Sequence, residues 1–467
     1  MFSHGEVSRS RVGSRRPSGT TGLCLANTPR RTSRRASSGG LLRFNHSLGR
    51  AAEITLALVT AVLASVSVIS AAPVAAATPG TWSPIGGPGP GYGASNAIVW
   101  DVAFYNGDLY VAGDFDTTFQ GQNAFNLARW NGTAWSGVGT NFDETEVVRE
   151  LEVLGDYLYI GGAFTDAANI PEADNIARWN GTTWSAVGPT GPGESAIDAG
   201  PAVGVESMAV RGTDLLIGGS FENVDNKEAA DNIARWSGSD WFAIGANDSG
   251  NGAIQGGVKD ILVRPDGFYA AGAFRDVNGI DAADYVAFWD GDDWLPLPES
   301  QIAINNTVNA LVMTGNDLYL GGNFLNLEGS ERPDLSNYVA RWDGTDWHGV
   351  GIFNDEREDL NGPVFDLAIY NGQIIAGGNF NSQADAIGVY DGTSWSTLGP
   401  DGALHGMVFN LVVNGSDLYV SGRFSNAGGI DNADHLAIFR APINRPDGRI
   451  RKGTGAYIGN NVYNTDG

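Results

Sequence analysis

The sequence predicts an all-β fold, a seven-bladed β-propeller of four-stranded antiparallel blades, and three observations carry that prediction. A four-segment pattern recurs seven times along the 467-residue chain. Each segment has strand chemistry and is bounded by turn residues. A lone segment of the fourth type stands ahead of the first repeat, and the last repeat lacks one. Composition agrees, since 66 glycines with 42 % hydrophobic and 10 % aromatic residues suit a turn-rich β protein with a packed core.

The first segment reads V-x-x-Φ-x-Φ, with Φ apolar, and begins at Val99, Val148, Val205, Val258, Val308, Val364 and Val408. The second ends on Gly-x-Phe, with its Phe at 115, 164, 221, 274, 324, 380 and 424. The third, of NIARW type, carries Trp130, Trp179, Trp236, Trp289, Trp342, Tyr390 and Phe439. The fourth, W-x-x-Φ-G in most repeats, starts at Trp135, Trp184, Trp241, Trp294, Trp347 and Trp395. Repeats follow one another every 44–57 residues, the spacing of a propeller blade. Pairs such as Asn131-Gly132, Asn180-Gly181, Asp290-Gly291, Asp343-Gly344 and Asp391-Gly392 separate segments three and four, and these tolerate the positive φ of tight hairpins. The orphan Thr81–Gly86 segment is predicted to supply the outer strand of the last blade through Trp82. That closes the ring and leaves no open sheet edge.

These residues resemble the kelch and galactose-oxidase class of propellers. LYIGG-type second strands, followed by an aromatic, a turn and Trp, are most similar to bacterial secreted repeats and to the propeller of fungal cortical polarity markers. The resemblance covers about residues 80–442. It implies fold much more than function, because propellers host enzymes, lectins and scaffolds.

Residues 1–77 are of another kind. They hold 10 Arg against Glu6 and Glu53, and the only cysteine, Cys24. The apolar run Ile54–Ile69, followed by Ala75-Ala76-Ala77, predicts an export signal with the mature chain starting at Thr78. The run is short for a membrane span, so no span is expected after cleavage. The long stretch ahead of it points to a start codon downstream of Met1. Arg34-Arg35 offers a twin-arginine reading, against which stands the missing Phe-Leu. Domain boundaries are therefore expected as a leader at 1–77, a propeller at 78–442, and a linker or truncated start of a further domain at 443–467. The predicted location is secreted or cell-surface.

The formal net charge of −25 conceals a basic leader, for the remaining chain holds 18 basic and 51 acidic residues. Such a charge disfavours nucleic acid as a partner. Without cysteine, the mature chain has no disulfide and no thiolate chemistry.

Propellers place longer loops at the channel mouth where the first strands start, and that face is where binding is expected. The third position of the first segment holds Asp101, Glu150, Ser207, Asp260, Ala310, Asp366 and Asn410. Two readings apply to Asp101, Glu150, Asp260 and Asp366. They could form a hard-cation site, with calcium as the one cofactor the sequence suggests, or they could satisfy free backbone N–H groups at the channel. A second acidic set (Asp174, Asp231, Asp284, Asn337, Asp385, Asp434) recurs before the third segment, as expected of turn-fixing residues. Asp276–Asp281 has a calcium-loop look without the downstream Glu of an EF-hand. Arg129, Arg178, Arg235 and Arg341 are expected to bridge neighbouring blades or stack on neighbouring rings. The repeated Trp and Phe residues read as core.

No catalytic constellation emerges. After the leader there are three histidines, His348, His405 and His435, scattered over different segments. Asp343–Trp347 mimics a sialidase Asp-box one residue short, and neither G-x-S-x-G nor H-E-x-x-H occurs. The chain is thus expected to be a non-catalytic, monomeric binding module for a protein or polysaccharide at the cell surface. The alternative is a carboxylate- or metal-dependent hydrolase or lyase at the acidic channel mouth.

Overall fold

The structure is a computed structural model that describes residues 79–442 apart from 87–97, 116–123, 140–141, 143–144, 189–193, 198–203, 248, 281, 298–303, 326–336, 352–359, 382–384 and 400–402. The chain divides into two units, Met1–Ile69 and Ser70–Gly467, and every described residue belongs to the second. The leader, Cys24, Arg34-Arg35, the 443–467 tail and Asp281 of the calcium-like loop lie outside the described residues.

Seven four-stranded antiparallel sheets follow one another along the chain, confirming the propeller. Blade 1 shows the pattern, with strands Ile98–Tyr105, Asp108–Asp114, Leu127–Trp130 and Trp135–Gly137 in that order from the inside outwards. Blades 2 to 6 repeat it, with innermost strands Val147–Leu154, Val205–Arg211, Val258–Arg264, Val308–Thr314 and Val364–Tyr370. Blade 7 takes His405–Asn414, Asp417–Ser425 and Leu436–Arg440 from the C-terminal side and Thr81–Pro84 from the N-terminal side. Trp82 pairs with Phe439 across that seam, their rings 5.1 Å apart, so the ring closes where the orphan segment predicted.

The repeat motif is explained by what lies between blades. The apolar clusters each draw on two neighbouring blades, as where Ile160 and Phe164 of blade 2 pack with Tyr110 and Leu127 of blade 1. In LYIGG, the first glycine accommodates the next blade. A Cβ on Gly161 would sit 2.6 Å from Val205, and one on Gly377 would sit 2.4 Å from Val408. The fourth-segment Trp latches backwards. Indole Nε1 of Trp184, Trp241, Trp294 and Trp395 donates to the carbonyl of Val138, Val187, Ile244 and Val350, which are the Φ residues of the preceding blade. The following Gly makes room for this. Gly245 has φ +77°, and a Cβ there would lie 2.9 Å from the Trp294 ring.

The turns behave as their chemistry predicts. The Oδ1 atoms of Asn131, Asn180, Asp290, Asp343 and Asp391 each accept the amides two and three residues on, closing the hairpin between strands three and four. Asp174, Asp231, Asp284 and Asp434 each accept the amide eight residues earlier, fixing the entry to the third strand. The arginines meet one of the two expectations, for Arg178 and Arg235 stack on the Tyr157 and Phe242 rings, while the ion pairs of this set stay within a blade instead of bridging blades. Arg129, Arg235 and Arg341 pair with Asp108, Asp214 and Asp317 of their own blade, and Arg178 lies over Tyr157 of its own blade. The reason is register, since antiparallel pairing sets the Arg one strand away from the Asp that opens strand two.

Candidate functional site

Every innermost strand carries a β-bulge at its start, on the side of the loops between strands two and three and between blades. The register shifts fall at Val99/Asp101, Val148/Glu150, Val205/Ser207, Val258/Asp260, Val308/Ala310, Val364/Asp366 and Val408/Asn410. A bulge bends the strand and re-aims side chains. Two rings of residues are positioned by it: the acidic set just after each bulge, and the bulged residues themselves.

The acidic set reaches sideways. Asp101 Oδ2 accepts the Leu151 amide at 2.7 Å, Asp260 Oδ2 the Leu311 amide at 2.6 Å, and Asp366 Oδ2 the Leu411 amide at 2.6 Å. Glu150 accepts the Met208 amide. Each partner is the corresponding residue of the next blade, so these carboxyls link blade 1 to 2, 2 to 3, 4 to 5 and 6 to 7. The second oxygens of Asp101 and Asp366 accept the amides of Val102 and Leu367. Among the described residues no group of three or more His, Cys, Asp or Glu is gathered to hold a metal ion.

Burial is the largest influence on these groups and outweighs the amide hydrogen bonds. It pushes Asp101 and Asp260 up to about 7 and Glu152, one turn of the pleat further in, to about 8. Glu150 and Asp366 are raised well above the ordinary range, first by burial and then by neighbouring carboxyls, Asp101 on Glu150 and Asp260 on Asp366. The channel therefore holds a set of carboxylic acids that keep their protons towards neutral pH.

The bulged residues form the second ring. Phe365 packs on Phe409 with ring centroids 5.3 Å apart, and Phe409 packs on Trp100 at 4.4 Å. The Arg149 guanidinium lies over the other side of this series, 5.9 Å from the Trp100 ring. Arg149 Nη1 bonds Glu206 Oε1 at 2.8 Å, and Lys259 Nζ bonds the same oxygen at 2.6 Å. Asn309 of blade 5 donates to the Val364 carbonyl of blade 6. Side-chain contacts thus run from blade 6 through 7, 1, 2 and 3 to 4 around the channel mouth. All of these residues are half-buried, with Arg149 and Lys259 side chains 34 % and 36 % exposed.

Sequence reasoning singled out the ring of acids and missed the bulged ring beside it. The signal was present in the V-x-D window. Its first position is always Val and its third is acidic in four repeats, while its middle position runs Trp100, Arg149, Glu206, Lys259, Asn309, Phe365, Phe409. A position that runs through aromatic, basic, acidic and amide side chains beside an invariant Val marks a place where blades are not interchangeable. The histidines do not assemble. His348 bonds Asp343 at 2.7 Å on the hairpin face, His405 is exposed at the start of blade 7, and His435 lies 3.3 Å from the Gly422 carbonyl.

The chain is a seven-bladed β-propeller with a composite aromatic and charged rim at one channel mouth. No family model matches it, and neither does any curated protein. Solved structures similar to it are propellers of remote sequence. YCF48 bound to a D1 peptide is 13 % identical, with 80 % of this chain and 100 % of that chain covered and a TM-score of 0.46. The extracellular domain of the putative one-component system BT4673 from B. thetaiotaomicron is 12 % identical, covering 77 % of this chain but only 40 % of that one, at a TM-score of 0.46. The WD40 β-propeller domain of Doa1 is 15 % identical, covering 75 % and 95 %, at 0.41. At such identities the likeness concerns architecture alone. Among the described residues no helix is long and apolar enough to cross a membrane.

Proposed function

We propose that this chain is an exported, monomeric binding module, a kelch- and galactose-oxidase-like propeller of the bacterial secreted type. It takes a protein or glycan ligand at the channel mouth. Residues 1–77 serve as its leader, the mature chain starts at Thr78, and residues 443–467 begin a linker or further domain. One observation carries the binding reading: the unbroken side-chain series Phe365–Phe409–Trp100–Arg149–Glu206–Lys259, accessible on the longer-loop face. The bulged position is more varied than the acid-rich position beside it, carrying aromatic, basic, acidic and amide side chains in turn. Here aromatic and charged groups occupy one site per blade, as in an asymmetric recognition surface.

The four acids support this reading from below, as links between blades that hold the rim in shape. Their competing role is as ligands of a calcium ion, or as acid–base groups of a hydrolase or lyase. Against that role stands the hydrogen bond each carboxyl already accepts from the next blade.

Screening the purified full chain on peptide and glycan arrays, followed by Trp100→Ala and Lys259→Gln variants, tests the proposal. Binding is expected to fall about tenfold or more in either variant, with the melting temperature of Lys259→Gln close to that of the parent and that of Trp100→Ala lowered by the lost packing on Phe409 but the fold retained by circular dichroism. Binding that survives both substitutions would move the site away from the mouth. N-terminal sequencing of exported protein tests the leader, with Thr78 the expected first residue.

A further inference from the structure

The rim is chemically divided. Blades 6, 7 and 1 contribute Phe365, Phe409 and Trp100, and blades 2, 3 and 4 contribute Arg149, Glu206 and Lys259. How the aromatic half is stacked limits what it can bind. Phe409 has Phe365 on one side and Trp100 on the other, with interplanar angles of 30° and 31°. Trp100 in turn carries the Arg149 guanidinium at 5.9 Å. The rings are thus occupied by one another, and a sugar ring, which stacks on an open aromatic face, has no flat platform on Trp100 or Phe409. All three rings are half-buried, and the surface they leave exposed offers a ligand an apolar contact.

The charged half has donors to spare. Two cations share a single oxygen, Glu206 Oε1. Glu206 Oε2 is 3.4 Å from the Ser220 hydroxyl. Arg149 Nε is buried with no hydrogen-bond partner among the described residues. Two cations against one carboxylate leave this trio with one unit of positive charge, on a chain whose formal net charge is −25. The acids directly beneath are linked to backbone amides, and burial pushes Asp101 and Asp260 up to about 7, which lessens the negative charge they present to an incoming anion.

We infer that the mouth takes a peptide offering a carboxylate together with a bulky apolar side chain, the carboxylate meeting Arg149 and Lys259 and the apolar group meeting the exposed surface of Trp100, Phe409 and Phe365. This rests on the mouth being the binding face, and it names the ligand class for that face. The carboxylate is an acidic side chain of the peptide. An acidic glycan shares the charge but lacks the group that the apolar half would accommodate.

The test is a positional-scanning library of blocked heptapeptides, fluorescently labelled and titrated against the full chain by polarisation, with an oligogalacturonate ladder run in parallel. Sub-libraries that fix aspartate or glutamate together with phenylalanine, leucine or tryptophan are expected to bind best, and replacing the acid by its amide to weaken binding about tenfold. Lys259→Gln, which leaves the Arg149–Glu206 pair in place, is expected to erase most of the preference for acid over amide. Trp100→Ala is expected to weaken acid and amide peptides alike. Equal binding of acid and amide peptides, lost in Trp100→Ala, would overturn the carboxylate inference and leave the mouth as the site. Oligogalacturonate binding without peptide binding, sensitive to Lys259→Gln, would overturn the peptide inference in the same way. Peptide binding indifferent to both substitutions would overturn the inference and the mouth reading together. No binding by any sub-library would overturn the inference alone.

Discussion

Asp101 Oδ2 accepts the backbone amide of Leu151 at 2.7 Å, and those two residues lie 50 positions apart, at the start of the innermost strands of adjacent blades. The same relation joins Asp260 to Leu311 and Asp366 to Leu411. The innermost strand of a propeller has no neighbouring strand on its channel side, so its amides need other acceptors. A carboxyl from the preceding blade is the acceptor the repeat provides.

Breaking one such link has a calculable cost. Asp260→Ala leaves the Leu311 amide without its acceptor and is expected to lower the free energy of unfolding by about 1–3 kcal/mol at pH 5. Asp260→Asn, which keeps one carbonyl oxygen, is expected to cost less. Urea denaturation of both variants beside the parent measures the difference. An Asp260→Ala protein as stable as the parent would remove the link from the account of stability.

The pH dependence has a definite sign. Asp101 and Asp260, near 7, and Glu152, near 8, hold their protons in the folded chain at pH values where the unfolded chain has lost them. Between about pH 4 and 8 the folded state therefore binds more protons, and stability falls as pH rises. Below about pH 4 the sign reverses, because amide hydrogen bonds hold Asp290, Asp343 and Asp391 under the ordinary carboxylate range. The melting temperature is expected to peak near pH 4–5 and to decline through neutrality. A plateau from pH 5 to 8 in a thermal scan series would contradict the buried-acid account.

Glycine substitutions separate backbone strain from crowding. Gly315 has φ +61° with open space around its Cβ position, so Gly315→Ala is expected to cost about 1 kcal/mol. Gly245 has a similar φ, +77°, but its Cβ would press on the Trp294 indole that bonds the Ile244 carbonyl. Gly245→Ala is expected to cost about 2–4 kcal/mol. Paired denaturation curves decide, and equal losses would mean that the indole latch yields freely.

Ring closure depends on Trp82, which is 5 % exposed and packed against Phe439. Trp82→Ala is expected to cost about 3–5 kcal/mol. Because it lies in the strand that closes the last blade, limited proteolysis of this variant is expected to cut first near Leu436–Arg440. Cleavage elsewhere would place the weakest seam between other blades.

Calcium supplies a direct contest between the two roles of the channel acids. Adding millimolar calcium, or removing it with a chelator, is expected to leave the melting temperature of the full chain unchanged. A calcium-dependent rise lost in Asp366→Asn would show that the carboxyls exchange their amide partners for a cation.

The fold was legible because a propeller writes the same local demands into every blade. Val364 repeats because it nests against Gly321, and Trp395 because its indole reaches Val350. Acidic residues at the third position were legible for the same reason, but their partners were not, since an amide carries no sequence signature. The arginine pairing was misjudged because a sequence shows that Arg235 recurs in phase without showing which strand register brings Asp214 beside it.

By itself, then, the sequence determined the blade, its number, the closure through Trp82 and the face where the innermost strands begin. These follow from periodicity, which needs no coordinates. Only the tertiary structure decided that Trp100, Arg149, Glu206, Lys259, Phe365 and Phe409 touch in series. They come from six blades and include three aromatic and three charged side chains. Their contact arises from a bulge that turns each side chain towards its neighbour around a closed ring.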